Sequence, residues 1–185
     1  MAIVLLAVLV VVAAVLLLKG TTEAGTRTIV RKPIAFNLRY TDTMRRLAPK
    51  PGEYLHLQRP GQDEFIVEPL TLPAHKGDVS GALPVQANRE LEGLKQRFPG
   101  LEPVEEGKTR INRVAGYSIV FRASRSPRLY GRVVLLPQPL PGALDGVKLV
   151  MLATPGGGAD KARDVGTRGE LKTPYRSFRF GTEGP

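Results

Sequence analysis

His56 and His75 are the only imidazoles in the chain, and cysteine is absent. A zinc site needs three or four converging His, Cys or carboxylate ligands. His75 sits in Pro73-Ala74-His75-Lys76-Gly77-Asp78, with one carboxylate and a lysine for company, and His56 alternates away from Leu55 and Leu57 and is expected to face solvent. Without cysteine there are no disulfides, thiolate ligands or thiol nucleophiles. No serine occupies a Gly-x-Ser-x-Gly elbow. Glu102, Glu105 and Glu106 cluster beside an expected turn, where carboxylates are solvated rather than arranged as an acid and base pair. Gly156-Gly157-Gly158, with Lys161 just beyond, resembles a phosphate cradle only in outline. The lysine does not follow the second glycine of a Gly-x-x-x-x-Gly-Lys-Ser/Thr loop, so the run reads as a strand-to-helix hinge. No catalytic residue, metal or cofactor is expected.

Positive charge is the remaining signal. The 185 residues carry 27 Lys+Arg against 17 Asp+Glu, a formal net charge of +10. Arg122, Arg125, Arg128 and Arg132 gather around one expected hairpin turn, and Arg176 and Arg179 lie further on. Such a group suits anionic lipid headgroups or an acidic protein partner. Nucleic acid is disfavoured, because few aromatics accompany the arginines and no nucleic-acid-binding motif is present. The competing reading is an ordinary solvated basic surface.

The elements that must hold these residues begin with a membrane signal. Residues 2–18 are all Ala, Val, Leu or Ile. As a helix this run would be about 26 Å long, close to the ~30 Å of a bilayer core. A cleaved signal peptide is the alternative, but no basic residue precedes the run and no good small-x-small site follows it. The expectation is a single-pass transmembrane anchor at residues 1–19, a linker at 20–32 and a globular domain at 33–185. Lys19, Arg27, Arg31 and Lys32 follow the run, so the positive-inside rule argues for a cytoplasmic domain.

Beyond the linker, period-two alternation predicts strands at residues 34–40, 54–58 and 117–122, the last paired as a hairpin with 129–136. Residues 147–152 form a further strand. Phe65-Ile66-Val67 begins a strand that Pro69 and Pro73 would hold to a short or edge element. A short strand is expected at 111–114. Ala87, Leu91, Leu94 and Phe98 recur at helical spacing after Pro84, and Pro99-Gly100 ends that helix. A second helix is expected over 160–171, although Gly166 and Gly169 oppose it. Strands outnumber helices and their connections are short, which indicates an α+β fold built on an antiparallel sheet.

Three segments resemble the PsbP-like fold family, whose fold is shared with a Ran-binding nuclear import factor. Ala35-Phe36-Asn37-Leu38-Arg39-Tyr40 is similar to that family's opening F-x-L-x-Y-P strand, with Thr41 in place of the proline. Gly116 to Phe121 followed by Leu129 to Leu136 is similar to its central hairpin, and Ser177-Phe178-Arg179-Phe180 to its closing S-F-x-F. The resemblance spans residues 33–181. It implies an α/β/α sandwich, an antiparallel sheet flanked by helices, acting as a binding or accessory module without catalytic residues. Many such domains in bacteria are tethered or exported, which argues for an extracytoplasmic domain against the charge rule. The functional expectation is a membrane-anchored, non-catalytic accessory domain. The alternative is an exported or anchored enzyme whose site no motif reveals.

Overall fold

The structure, a computed structural model, describes residues 25–59, 63–75, 77–124, 129–154 and 158–183. The apolar run at residues 2–18 lies outside them, and among the described residues no helix is long and apolar enough to cross a membrane. In chain order the elements are β1 (Thr26–Val30), β2 (Phe36–Tyr40), β3 (Arg45–Leu47), β4 (Leu55–Gln58), β5 (Glu64–Thr71), α1 (Ala82–Arg97), β6 (Leu101–Ile111), β7 (Val114–Ala123), β8 (Leu129–Pro137), β9 (Asp145–Ala153), α2 (Lys172–Ser177) and β10 (Arg179–Phe180).

Seven strands form an antiparallel sheet in the order β3-β4-β5-β9-β8-β7-β6. After β5 the chain passes through α1 to the far edge, and β6 to β9 return strand by strand until β9 pairs with β5. Its central strands are buried on both faces. Val134 and Leu136 of β8 and Leu149 and Met151 of β9 join one core. Their neighbours Val133, Leu135, Val150 and Leu152 join a second core beneath α1. Central strands that are apolar on both sides explain why residues 133–136 and 149–152 read as continuous hydrophobic runs.

On its sheet-facing side α1 buries Leu83, Ala87 and Leu94, and Phe98, just past its end, meets Phe121 with ring centroids 5.6 Å apart. Pro84 falls in the first turn, where a missing N–H removes no helix bond. A charged chain also joins helix to sheet. Lys148 Nζ of β9 lies 2.9 Å from Glu90 Oε2 and 3.3 Å from Glu68 Oε2, and Arg97 Nη1 lies 3.0 Å from Glu68 Oε1. Burial lowers the Lys148 pKa, but the hydrogen bonds and charges of Glu90 and Glu68 outweigh it, so the ammonium is held above its usual range.

The other face departs from an α/β/α sandwich. It is covered mainly by a three-stranded antiparallel sheet, β1-β2-β10, together with the six-residue α2. Residues 26–30, assigned above to a linker, are the first strand of that sheet, with Thr26 opposite Tyr40 and Val30 opposite Phe36. Thr28 and Val30 alternate inward and are buried, a period-two pattern that polar neighbours obscured.

The strand expected at 111–114 is instead the β6–β7 turn, with Asn112 and Arg113 at φ of 44° and 74° between Ile111 and Val114, and three other expectations change for identifiable reasons. First, β5 is eight residues long and internal to the sheet, although it contains Pro69. Pairing with β4 stops at Val67, so Pro69 points its nitrogen to a side with no partner strand, while Leu72 N–H continues the ladder to Leu144 O. Second, residues 101–111 form the edge strand β6, so Glu102, Glu105 and Glu106 lie on a strand. With most side chains of β6 exposed on both faces there is no apolar alternation, and charges, Pro103 and a bulge between Pro103 and Glu105 suit an edge. Third, residues 160–171 hold one 3-10 turn, Ala162–Asp164, and the helix forms later at Lys172–Ser177. Gly166 and Gly169 take φ of 76° and 62°, outside the helical region, and Pro174 sits in the first turn of α2.

Gly131 of β8 is opposite Phe121 and forms the floor beneath its ring; a Cβ there would lie 2.0 Å from Phe121 Cζ. Gly131→Ala is therefore expected to destabilise the fold by about 1–3 kcal/mol, read from the urea midpoint. Gly107→Ala, where nothing lies within 4 Å of the added Cβ, should leave the midpoint nearly unchanged.

Candidate functional site

The four hairpin arginines do not share one environment. Arg122 and Arg132 project from the same face of β7 and β8, since Arg122 is opposite Tyr130 and Val120 opposite Arg132. Arg122 is exposed and ion-paired with Glu102 on β6, Nη2 to Oε2 2.6 Å. Arg132 is half-buried: its Nη2 donates to Arg163 O at 3.0 Å, its guanidinium carbon lies 5.8 Å from the Tyr175 ring centroid, and its Nε is buried without a partner. It fastens the 3-10 turn to the sheet, and Glu105 holds the same turn through Arg163 at 2.8 Å. Arg125 and Arg128 lie outside the described residues.

The histidines stay apart. His75 lies in a loop with Nδ1 3.1 Å from Pro73 O. His56, expected at the surface, is buried at 2% exposure, with Nδ1 3.1 Å from Glu53 Oε2 and Nε2 3.8 Å from Glu64 Oε2. Alternation does turn it away from Leu55 and Leu57, but Glu53 closes over that side of the strand. No group of three or more metal-ligating side chains converges among the described residues. Of the glycine run, only Gly158 is described. It packs against the Gly169 Cα, and no helix starts beside it.

Two features that the sequence concealed stand out. One is a polar cluster at the end of the seven-stranded sheet, beneath the β2–β3 connection. Glu170 accepts hydrogen bonds from the hydroxyls of Thr41 and Thr43, the latter at 2.8 Å. The Thr41 bond is the main cause holding the Glu170 pKa below the usual carboxylate range. Thr41, the residue that breaks the resemblance to the F-x-L-x-Y-P strand, is thus a ligand of this carboxylate. Asp63, at the close of the β4–β5 turn, is fully buried, and neither of its oxygens has a hydrogen-bond partner. Burial raises its pKa from 3.8 to about 6, Arg59 lowers it and Glu170 adds to the rise.

The other feature is the outer face of the three-stranded sheet. Phe36 and Leu38 of β2 and Val30 of β1 point into the core. The intervening Arg27, Arg39 and, from β10, Arg179 point outward and are exposed. Asn37, also on this face, is buried by the chain end, its amide donating to Gly181 O at 2.9 Å and Glu183 O at 3.0 Å. A ligand-sized concavity of about 330 Å³ lies elsewhere, between the start of α1 and the β6–β7 hairpin, lined by Leu83, Lys108, Arg110, Ala115 and Tyr117 among others.

No protein-family model matches the chain, and no curated protein matches it. Solved structures do. PsbP (CyanoP) of Synechocystis sp. PCC 6803 aligns with a TM-score of 0.57 at 12% identity, over 87% of this chain and 95% of that one. LpqN of Mycobacterium tuberculosis, involved in cell envelope biogenesis, aligns at 0.56 and 14% identity, over 86% and 93%. The Ran-binding protein Mog1p of Saccharomyces cerevisiae aligns at 0.54 and 9% identity, over 85% and 96%. The chain has the PsbP-like fold.

The buried acid generates a pH prediction. Its folded-state pKa of about 6 exceeds the unfolded 3.8, so between these values the folded state binds more protons. Asp63 therefore subtracts stability as pH rises from about 4 to about 6, and by neutral pH the loss reaches about 3 kcal/mol. Asp63→Asn should stabilise the protein at pH 7.5 by an amount of that order and make little difference at pH 4, compared by urea denaturation at the two pH values.

Proposed function

We propose that this protein is a single-pass, membrane-anchored binding domain, non-catalytic and accessory to other components, with its folded part outside the cytoplasm. The observation that carries this reading is how the chain enters the fold. β1 starts at Thr26, and the apolar run ends at Leu18. Only residues 19–25 separate them, a span of at most about 24 Å. A helix at residues 2–18 would thus hold the domain close to the bilayer.

Two structural neighbours support an accessory role. Mog1p is Ran-binding, so this fold serves as a protein-binding module in at least one setting. LpqN is involved in cell envelope biogenesis, which favours the outer side of the membrane over the inward orientation argued by charge. The internal polar groups support it too. Lys148, Arg132 and Glu170 each fasten one element to another.

The native chain lacks cysteine, so one introduced thiol reports position without interference. Val85 on α1 is 52% exposed. Val85→Cys in intact cells is expected to react with a membrane-impermeant maleimide, and the labelled chain is expected to remain in the membrane pellet after alkaline carbonate. Protection until lysis would place the domain in the cytoplasm, and release by carbonate would refute the anchor.

A further inference from the structure

We propose that the outer face of the three-stranded sheet docks on anionic phospholipid headgroups through Arg27, Arg39 and Arg179. This rests on the anchored reading above and assigns the surface that meets the bilayer.

Arg27 and Arg39 lie on consecutive strands and Arg179 some 140 residues further on, and strand register puts all three on one face. Arg27 is directly opposite Arg39, and Arg179 is opposite Asn37, two residues along β2 on the same face. Like charges directly opposed on neighbouring strands are destabilising. Elsewhere several cations are paired internally: Lys148 and Arg97 with Glu68 and Glu90, Arg122 with Glu102, Arg163 with Glu105. On this face no arginine has an ion pair among the described residues. Arg27 Nη2 donates to the backbone carbonyl of Thr182 at 2.8 Å, and the nearby Asp42 accepts from Thr26 at 3.1 Å. Glu183 is the carboxylate whose backbone crosses the face, and it lies in no ion pair with these arginines.

An opposed arginine pair left unneutralised fits an anion arriving from outside. The position of the face identifies that anion as lipid. Arg27 is the second residue of β1, at the end of the seven-residue connection from the apolar run, so this strand is the part of the fold held nearest the headgroups. Half-buried Ile29, beside Asn37 on the same face, adds an apolar contact at headgroup depth. Each arginine near a negatively charged leaflet raises the ratio of docked to undocked domain about fivefold. Salt removes the effect, because the Debye length is ~8 Å at 0.15 M and ~3 Å at 1 M.

The test uses the full chain in lipid nanodiscs of phosphatidylcholine alone or with one quarter phosphatidylglycerol. A small fluorophore is attached at Ile29→Cys, or at Val85→Cys on α1 as the control, and quenching by headgroup-labelled lipid is measured. Position 29 is expected to quench at least threefold more in anionic than in neutral discs, with no such difference at position 85. The gain should vanish in 0.5 M NaCl and in the Arg27→Gln, Arg39→Gln, Arg179→Gln variant. That variant should keep or slightly raise its thermal midpoint, because a repulsion is removed. Equal quenching at position 29 in both lipids, or an anionic gain that persists in the triple variant or in salt, overturns the proposal. So does quenching at position 85 instead. Protection of position 29 by added polyglutamate without lipid quenching would assign the face to an acidic protein and also overturn it. A chain that fails to enter discs of either composition refutes the anchor and the docking with it, whereas insertion without quenching refutes the docking alone.

Discussion

Phe36 near the start of the domain stacks on Phe178 near its end, with ring centroids 5.4 Å apart, and Phe178 meets Phe180 edge-on at the same distance. This aromatic cluster lets β10 close the small sheet against β2. Both Phe36 and Phe178 are essentially removed from water, so the contact combines large apolar burial with favourable ring geometry. Around it the chain end is fastened by polar bonds: Asn37 holds Gly181 and Glu183, and Asn112 of the β6–β7 turn donates to Arg176 O and Phe178 O at 2.8 and 2.7 Å. Without that closure β1 and β2 would form a two-stranded ribbon, which is marginal in water, and one face of the seven-stranded sheet would lie open.

The charge of the molecule is distributed unevenly, and the unevenness is informative. On the α1 side, cations and carboxylates alternate into a connected network at the helix–sheet boundary. On the outer face of the small sheet, arginines oppose each other. The same physics explains Asp63, a carboxylate isolated from water and from donors, which shifts its own protonation instead of finding a partner. Its neighbour Glu170, with two threonine hydroxyls in reach, stays readily ionised. Two acids near each other are thus driven apart in proton affinity, by threonine hydrogen bonds and the charge of Arg59 on one side and by burial on the other.

The PsbP-like scaffold separates duties between its layers. The central strands β8 and β9 are covered on both faces and contribute side chains to both cores. The helix face is closed by α1 and its ion pairs. The three-stranded layer carries exposed arginines on its outer face, beside the chain end that crosses it at Asn37, and it is also the layer the N-terminal segment leads into. A domain arranged this way can change its outward residues with little effect on the core, because period-two alternation keeps the inward set, Val30, Phe36 and Leu38, independent of the outward set.

Local periodicity was enough to locate α1, β7, β8 and β9. α1 and β7 carry apolar side chains at the repeat of their own geometry, and β8 and β9 show as continuous apolar runs because both of their faces are buried. The three segments that resemble the PsbP-like family became β2, the β7–β8 hairpin and β10, so the fold itself was legible. Composition also pointed to basic charge as the main surface property. Tertiary structure alone decided how that charge is grouped on the surface. Arg27 meets Arg39 across neighbouring strands, and Arg179 joins their face only because β10, more than a hundred residues later, pairs with the other edge of β2. β6 escaped detection because an edge strand solvated on both faces has no apolar alternation. His56 read as a surface residue because strand alternation turns it away from Leu55 and Leu57, whereas its burial is imposed by side chains closing over it in the folded state.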